Sequence, residues 1–432
     1  MIPSTLVRAG ALAALAALAV SPLAHAAEPV PVTLGMDGER HVLLRDGEPY
    51  RVRGAGVEFG DKARLKARGG NSFRTWRTEN GEQSGQQVLD EAEALGLTVI
   101  MCLEITPERK GFDYDDEDAV ARQFEYVKGE VLKYKDHPAL LAWMIGNEPN
   151  LFFENPKVFD AIDDIAEMIE EVDPNHPTTT ALAGFDENLA SLIETRAPAL
   201  DFLSIQMYGD IVNLPQRIAD AGFDKPFMVT EWGAIGHWEV ATTAWQAPIE
   251  QNSTAKADNY LNSHRVAIAD DPRLLGNYVF LWGQKQERTP TWYGMFLEDG
   301  SSTAAIDTME YVWTGQWPDN RAPTITDITL DGRVATDSIT LAPEQSVTAS
   351  VASSDPEGEP LDWQWVLMDE SRADQVGGDQ EKVPEVVPGR LSTDAGTAEL
   401  SAPSAPGAYR LFVYTRDEAG GAAHANVPFL VE

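Results

Sequence analysis

The chain has 432 residues, 43% of them hydrophobic and 9% aromatic, with a formal net charge of −36. This length is too great for one ordinary core, and this composition excludes a disordered chain, so two or three packed domains are expected. So acidic a surface repels nucleic acid and anionic membranes and disfavours polyanionic glycans, unless a local basic cleft opposes the field. A neutral polymer is the easier partner.

The first 26 residues read as a targeting segment: Arg8 as a positive start, an Ala/Leu-rich run over Gly10–Val20, and an A-x-A cleavage site at Ala24-His25-Ala26. The apolar run is too short to span a bilayer, so a secreted or periplasmic product is expected, with no membrane insertion. Loss of Arg8 would take the net charge from −36 to −37 (−36 − 1). The one cysteine, Cys102 in LTVIMCLEI, cannot form an internal disulfide and reads as a small buried apolar residue.

Residues 32–50 look like a small hairpin, with Asp37-Gly38 and Asp46-Gly47 as turns. From residue 51 to about 283, short apolar runs alternate with longer helical ones, the pattern of βα units. Strands are predicted at Arg51–Glu58, Asn71–Trp76, Leu97–Ile105, Leu140–Asn147, Thr178–Leu182, Phe202–Tyr208, Phe227–Glu231 and Tyr278–Trp282. Helices are predicted over Gln86–Leu95, over Ala119–Tyr134 after the capping run DYDDEDAV, and over Thr303–Trp313. Eight strands with helical crossovers fit a TIM barrel. Near Trp317-Pro318 the helical period stops, and alternating runs with Gly, Pro, Ser and Asp turns continue to Glu432. The expected fold class is α/β: a (β/α)8 TIM barrel over 27–318, then an all-β Ig-like sandwich over 319–432. In the sandwich, Trp363 and Trp365 share a strand face, and Tyr409 suits a tyrosine corner.

Two glutamates end predicted strands, Glu148 in WMIGNEPN and Glu231 in FMVTEWGAIG, 83 positions apart (231 − 148). That leaves room for about three βα units, which puts them on strands 4 and 7. Two carboxyl groups facing each other, one protonated and one ionised, are what a retaining glycosidase needs. Other chemistries lack support. The seven histidines are scattered with no HExxH, and there is no GxSxG, Walker loop or GxGxxG. No metal or cofactor is expected.

The stretches RGGNSFRTW, LLAWMIGNEPN, FMVTEWGA and NYVFLWGQKQERTPTWYG resemble clan A glycoside hydrolases, chiefly the catalytic barrel of family 2 and more loosely family 5. No stretch ahead of residue 51 reads as the N-terminal sandwich domains of family 2, a departure from that pattern. The resemblance implies Glu148 as acid/base and Glu231 as nucleophile. It also implies Arg74 and Tyr208 as hydrogen-bond donors to the nucleophile, Asn147 as a contact to the sugar 2-hydroxyl, and Trp282 as the floor under the sugar. Family 5 relatives commonly carry a histidine where this chain has Gln206.

Glu104, at the end of strand 3, and Glu58, at the end of strand 1, are candidates for lining the cleft. Trp76, Trp232, Trp238 and Trp292 are candidate sugar platforms, with about half of them expected in the core. The loop holding Asp355, Glu357, Glu359 and Asp362 resembles the acidic loops of cadherin-like or PKD-type modules, some of which hold calcium; a solvated turn is the plainer reading. The expected activity is retaining hydrolysis of β-glycosidic bonds in a neutral glycan, a β-glucan being the first guess, with a second glycan or cell-surface contact through the sandwich. A β-glucan transglycosylase using the same pair, or a non-catalytic glycan-binding barrel, are the alternatives.

Overall fold

In a computed structural model, residues 28–432 are described; the targeting segment predicted over 1–26 lies outside them. The chain opens with β1 (Val32–Asp37), β2 (Arg40–Arg45) and β3 (Glu48–Tyr50), a three-stranded antiparallel sheet rather than a simple hairpin. Eight parallel strands follow and close on themselves: β4 (Val52–Gly56), β5 (Ser72–Arg74), β6 (Thr98–Leu103), β7 (Leu140–Asn147), β8 (Thr178–Ala183), β9 (Leu203–Gln206), β10 (Phe227–Glu231) and β11 (Leu274–Val279).

The alternation of side chains along a strand builds two cores at once. On β6, Val99, Met101 and Leu103 face the surrounding helices, whereas Ile100 and Cys102 face the barrel interior with Met144, Met228 and Tyr278. The β1–β3 sheet plugs the N-terminal end. Val32 N–H donates to the Asn175 carbonyl, His41 N–H to that of Pro272, and the Arg45 guanidinium to that of Pro138, all on loops leading into barrel strands. The opposite end, where the strands finish, is left for chemistry. Helix Glu117–Tyr134 starts where Asp116 Oδ1 accepts from Ala119 N–H at 3.0 Å, within the acidic run that suggested a cap.

The last barrel strand is β11, Leu274–Val279, four residues earlier than the aromatic run suggested. Gly276 is the reason. A Cβ there would stand 2.4 Å from Val52 Cβ, so the close approach of β11 to β4 demands the residue that usually marks a break.

After the barrel come β12 (Ser302–Thr303) and helix Ala304–Thr314. The C-terminal region holds β13 (Thr324–Ile325), β14 (Thr329–Leu330), β15 (Thr340–Leu341), β16 (Ser346–Ser350), β17 (Ser353–Ser354), β18 (Asp362–Asp369), β19 (Leu391–Asp394), β20 (Thr397–Ser401), β21 (Gly407–Arg416) and β22 (Gly421–Val431). These form a sheet ordered β12-β22-β21-β18, with β15 also on β22, and a sheet ordered β14-β16-β20-β19. The barrel therefore lends a strand to the sandwich. Tyr409 Oη donates to the Ala405 carbonyl at 3.0 Å, a local corner contact.

Two readings for this region gain detail. Trp363 and Trp365 do share a face, but it is the inner one: both pack on the sandwich core, and Trp365 donates to the Ala395 carbonyl. Trp365 is buried, whereas Trp363 keeps part of its surface exposed. In the acidic loop, Asp355 Oδ1 accepts from the Glu357 and Glu359 N–H groups, the geometry of a capped turn. Among the described residues no group of three or more His, Cys, Asp or Glu is arranged to hold a metal ion, and no helix is long and apolar enough to cross a membrane.

Candidate active site

The C-terminal ends of β5, β7, β9 and β10 bring Arg74, Asn147, Gln206 and Glu231 together as the closing residues of their strands. Glu148 is the next residue after β7. It adopts the left-handed conformation (φ 51°), and its N–H donates to the Ala181 carbonyl, so the chain bends sharply at this carboxyl.

Glu231 is 5% exposed and accepts four hydrogen bonds. Oε1 accepts from Arg74 Nη1 (3.1 Å), Trp76 Nε1 (2.8 Å) and Gln206 Nε2 (3.1 Å), and Oε2 accepts from Tyr208 Oη (2.7 Å). Both oxygens face donors, a set that suits a carboxylate held in one orientation. Burial and the neighbouring Glu231 charge push the Tyr208 hydroxyl well above its ordinary range, so it remains a donor.

Glu148 contrasts with it. Burial first, and then the Glu231 charge, raise its carboxyl to about 8, against smaller opposing effects from Arg109 and Arg74. It keeps some contact with solvent, as a carboxyl at the floor of a cleft does, but protein surrounds it on most sides. At neutral pH it carries its proton. The surroundings of the two glutamates thus differ: donors meet both oxygens of Glu231, whereas burial and a neighbouring carboxyl keep the proton on Glu148.

Asn147 Oδ1 accepts from Arg74 Nη2 (2.8 Å) and Gln206 Nε2 (2.9 Å). These bonds fix the amide orientation and leave its NH₂ group as the part free to meet a ligand. Gln206, on the strand where relatives commonly place histidine, bridges Asn147 and Glu231. Trp76 was weighed only as a sugar platform, yet it also donates to Glu231; its place two residues beyond Arg74 was the available clue.

Trp282 does not floor the site. Its ring is fully buried, its Nε1 donates to the Asp61 carbonyl, and it packs on Phe296 and Trp313. With β11 ending at Val279, Phe280 stands at the mouth instead, meeting Trp76 and Tyr208 edge-on with ring centres 5.7 and 5.8 Å apart. Trp232 and Trp292 are core residues, whereas Trp238 is 61% exposed and lies edge-on to Tyr208. Glu104, exposed after β6, and Glu58, paired with Arg77 after β4, lie at the same end of the barrel and outside the hydrogen-bond set of Glu231. A cavity of about 360 Å³ opens beside Asn150, Ala183, Met207 and Arg217; neither glutamate lines it.

Residues 61–250, which carry Arg74, Asn147, Glu148, Gln206, Tyr208 and Glu231, match the family described as glycosyl hydrolases family 2, TIM barrel domain. Over this segment, 190 of the 432 residues (250 − 61 + 1), the chain is similar to the family 2 barrel domain. A β-glucuronidase of Streptococcus agalactiae is 25% identical to the chain over 242 residues, covering 50% of this chain and 38% of that protein. A probable mannan endo-1,4-β-mannosidase A-1 of Aspergillus terreus is 25% identical over 174 residues, covering 34% of this chain and 44% of that protein. The chain therefore spans less than half the length of either relative. Among solved structures, a β-D-glucuronidase of Dictyoglomus thermophilum superposes with a TM-score of 0.51 at 16% identity, over 67% of this chain and 54% of that one, a likeness of fold. The family 2 barrel matched here runs from the loop after β4 to beyond β10, the part of the fold that positions both glutamates.

Proposed function

We propose that the protein is a retaining β-glycosidase acting on a neutral glycan, with Glu231 as nucleophile and Glu148 as acid/base. The observation that carries this reading is the contrast between a Glu148 raised to about 8 and a Glu231 fixed by four donors. In the first step, Glu231 attacks the anomeric carbon while Glu148 gives its proton to the leaving oxygen. In the second, Glu148 takes a proton from water, which attacks the glycosyl-enzyme and frees Glu231. Asn147 would present its NH₂ to the 2-hydroxyl, a contact that strengthens in the transition state.

Neutrality of the substrate is argued from charge pairing. The cations around the mouth already have carboxylate partners: Arg77 with Glu58, Arg109 with Asp379, Lys285 with Glu287 and Arg288 with Glu381. An anionic sugar would have to displace one of these. A β-glucan is the first substrate to test, beside mannans, and the leader-like segment 1–26 supports action outside the cytoplasm.

The experiment is a panel of aryl β-glycosides and neutral β-glycans, with product anomers followed by NMR and a 2-fluoro glycoside as a covalent trap. Retention of configuration, label on Glu231, and loss of turnover in Glu231→Ala are expected. Inversion, or an active Glu231→Ala, would refute the assignment.

A second outcome has support in exposed aromatics after β4, β7 and β10, namely Phe59, Phe152 and Trp238. Such faces suit an acceptor sugar, and longer products formed with excess oligosaccharide would identify a transglycosylase.

A further inference from the structure

The chain between β18 and β19 leaves the sandwich and reaches the mouth of the barrel. Arg288, on the loop after β11, holds both of its ends: its side chain donates to the Ala373 and Gln375 carbonyls, and its N–H donates to Glu381 Oε2 at 2.7 Å. Between these ends, Lys285 donates to the Gly378 carbonyl at 2.8 Å. Asp379 pairs with Arg109 (3.2 Å) and Lys110 (2.8 Å), which follow β6.

Two consecutive glycines show how this segment runs. A Cβ on Gly377 would stand 2.8 Å from Arg109 and 2.9 Å from Leu151, and one on Gly378 would stand 2.8 Å from Lys285. Leu151 belongs to the turn after β7, and Lys285 follows β11. These strands lie opposite each other in the barrel order. The segment therefore crosses the mouth, and both glycines have positive φ (62° and 72°), so side chains are disfavoured there on conformational as well as steric grounds.

The crossing lies on the Glu148 side. Leu151 N–H donates to the Glu148 carbonyl at 3.1 Å, and Arg109 and Glu287 are both close enough for their charges to act on the Glu148 carboxyl. A group that protonates the leaving oxygen has the leaving sugar beside it. The loops under the segment also carry polar atoms shielded from solvent and without partners, the Gln286 amide and Arg109 Nε. Such atoms ask for a hydrogen-bonding occupant.

We propose that the sandwich segment Ala373–Glu381 completes the leaving-group side of the active site, making the second domain a determinant of which leaving sugar is accepted. This rests on the glycosidase reading above. The test compares kcat/KM for two substrates that share a glycone, a dinitrophenyl β-glycoside and a β-linked oligosaccharide. It uses the full chain, a variant with residues 374–380 replaced by a Gly-Ser segment, and Asp379→Ala. The oligosaccharide-to-aryl ratio is expected to fall about tenfold or more in the replacement and severalfold in Asp379→Ala. Ratios within about twofold of the parent, in variants that still unfold cooperatively, overturn the proposal and leave the glycosidase reading intact. A parent that turns over no β-glycoside and takes no fluoroglycoside label would sink that reading, and this one with it.

Discussion

Gln206 Nε2 donates to both Asn147 Oδ1 (2.9 Å) and Glu231 Oε1 (3.1 Å), tying the end of β9 to the residue before one glutamate and to the other glutamate itself. A neutral amide does this at every pH, which a histidine cannot. Gln206→His should therefore add a limb to the pH profile that the parent lacks. Below about pH 6.5 the imidazolium would pair with Glu231 and blunt its attack. Gln206→Leu removes the donor altogether and should cost about 10- to 100-fold in kcat/KM, the worth of a hydrogen bond to a charged group. A Gln206→His profile that overlays the parent's would show that the bridge has no electrostatic role.

Tyr208→Phe removes the only donor to Glu231 Oε2 among the described residues and leaves the three on Oε1. The ring keeps its edge contacts with Trp238, Phe280 and Tyr293, so the fold should hold. A fall in kcat/KM of about 10- to 100-fold is expected, with thermal unfolding little changed. Steady-state kinetics beside a melting curve separate the two effects; a large drop in Tm with normal kinetics would mean that the hydroxyl is structural.

Which parts could be read from the chain follows from how each residue is used. The bounds of β7 and β10 were legible because each is an unbroken buried run ended by a polar residue the site needs, Asn147 and Glu231. The position of β11 was not, since the glycine that lets it approach Val52 looks like an interruption, and the aromatic run beyond it looks like a strand. That shift of four residues is also why Trp282, and not Phe280, was expected under the sugar. Trp363 and Trp365 were read correctly as sharing a face, but alternation alone does not say whether that face is inner or outer. The reach of Ala373–Glu381 across the barrel had no signal, because its contacts join residues separated by 85 to 270 positions.

The raised Glu148 carboxyl gives two outcomes on the pH axis. For activity, kcat/KM should fall as pH rises through about 8, when the proton needed by the leaving group is lost. For stability, the folded value lies above the ordinary 4.5, so the folded state holds the extra proton between those values. The linked stabilisation is complete below about 4.5 and is lost as pH rises through about 8. Glu148→Gln cannot lose a proton. Its stability relative to the parent should grow between about pH 5 and pH 9, by roughly 4 kcal/mol at most. Denaturant titrations at the two pH values measure this, and a constant difference would mean that Glu148 titrates normally.

A buried ion pair of the barrel lies against the second domain, and its removal should separate stability from chemistry. Glu250 and Lys256, both beyond β10, pair out of contact with solvent. Glu250 also accepts from Thr289 and Thr291 and from Asn426 Nδ2 on β22. Close by, Arg410 on β21 pairs with Glu370 and donates to the Pro248 carbonyl. Although burial opposes ionisation of Glu250, the Lys256 charge and these donors hold its carboxyl down at about 2. Burial still pulls the Lys256 ammonium below its ordinary value, so the pair as a whole stabilises less than Glu250 taken alone implies. Because the Glu250 value is depressed, its contribution is present above about 4.5 and is lost as pH falls toward 2. Lys256→Met strands a buried carboxylate and should cost about 3–5 kcal/mol at neutral pH, narrowing as acid protonates Glu250. Calorimetry from about pH 3 to pH 7 reads both the loss and its pH dependence; a cost independent of pH would assign the effect to packing of the lysine stem rather than to its charge.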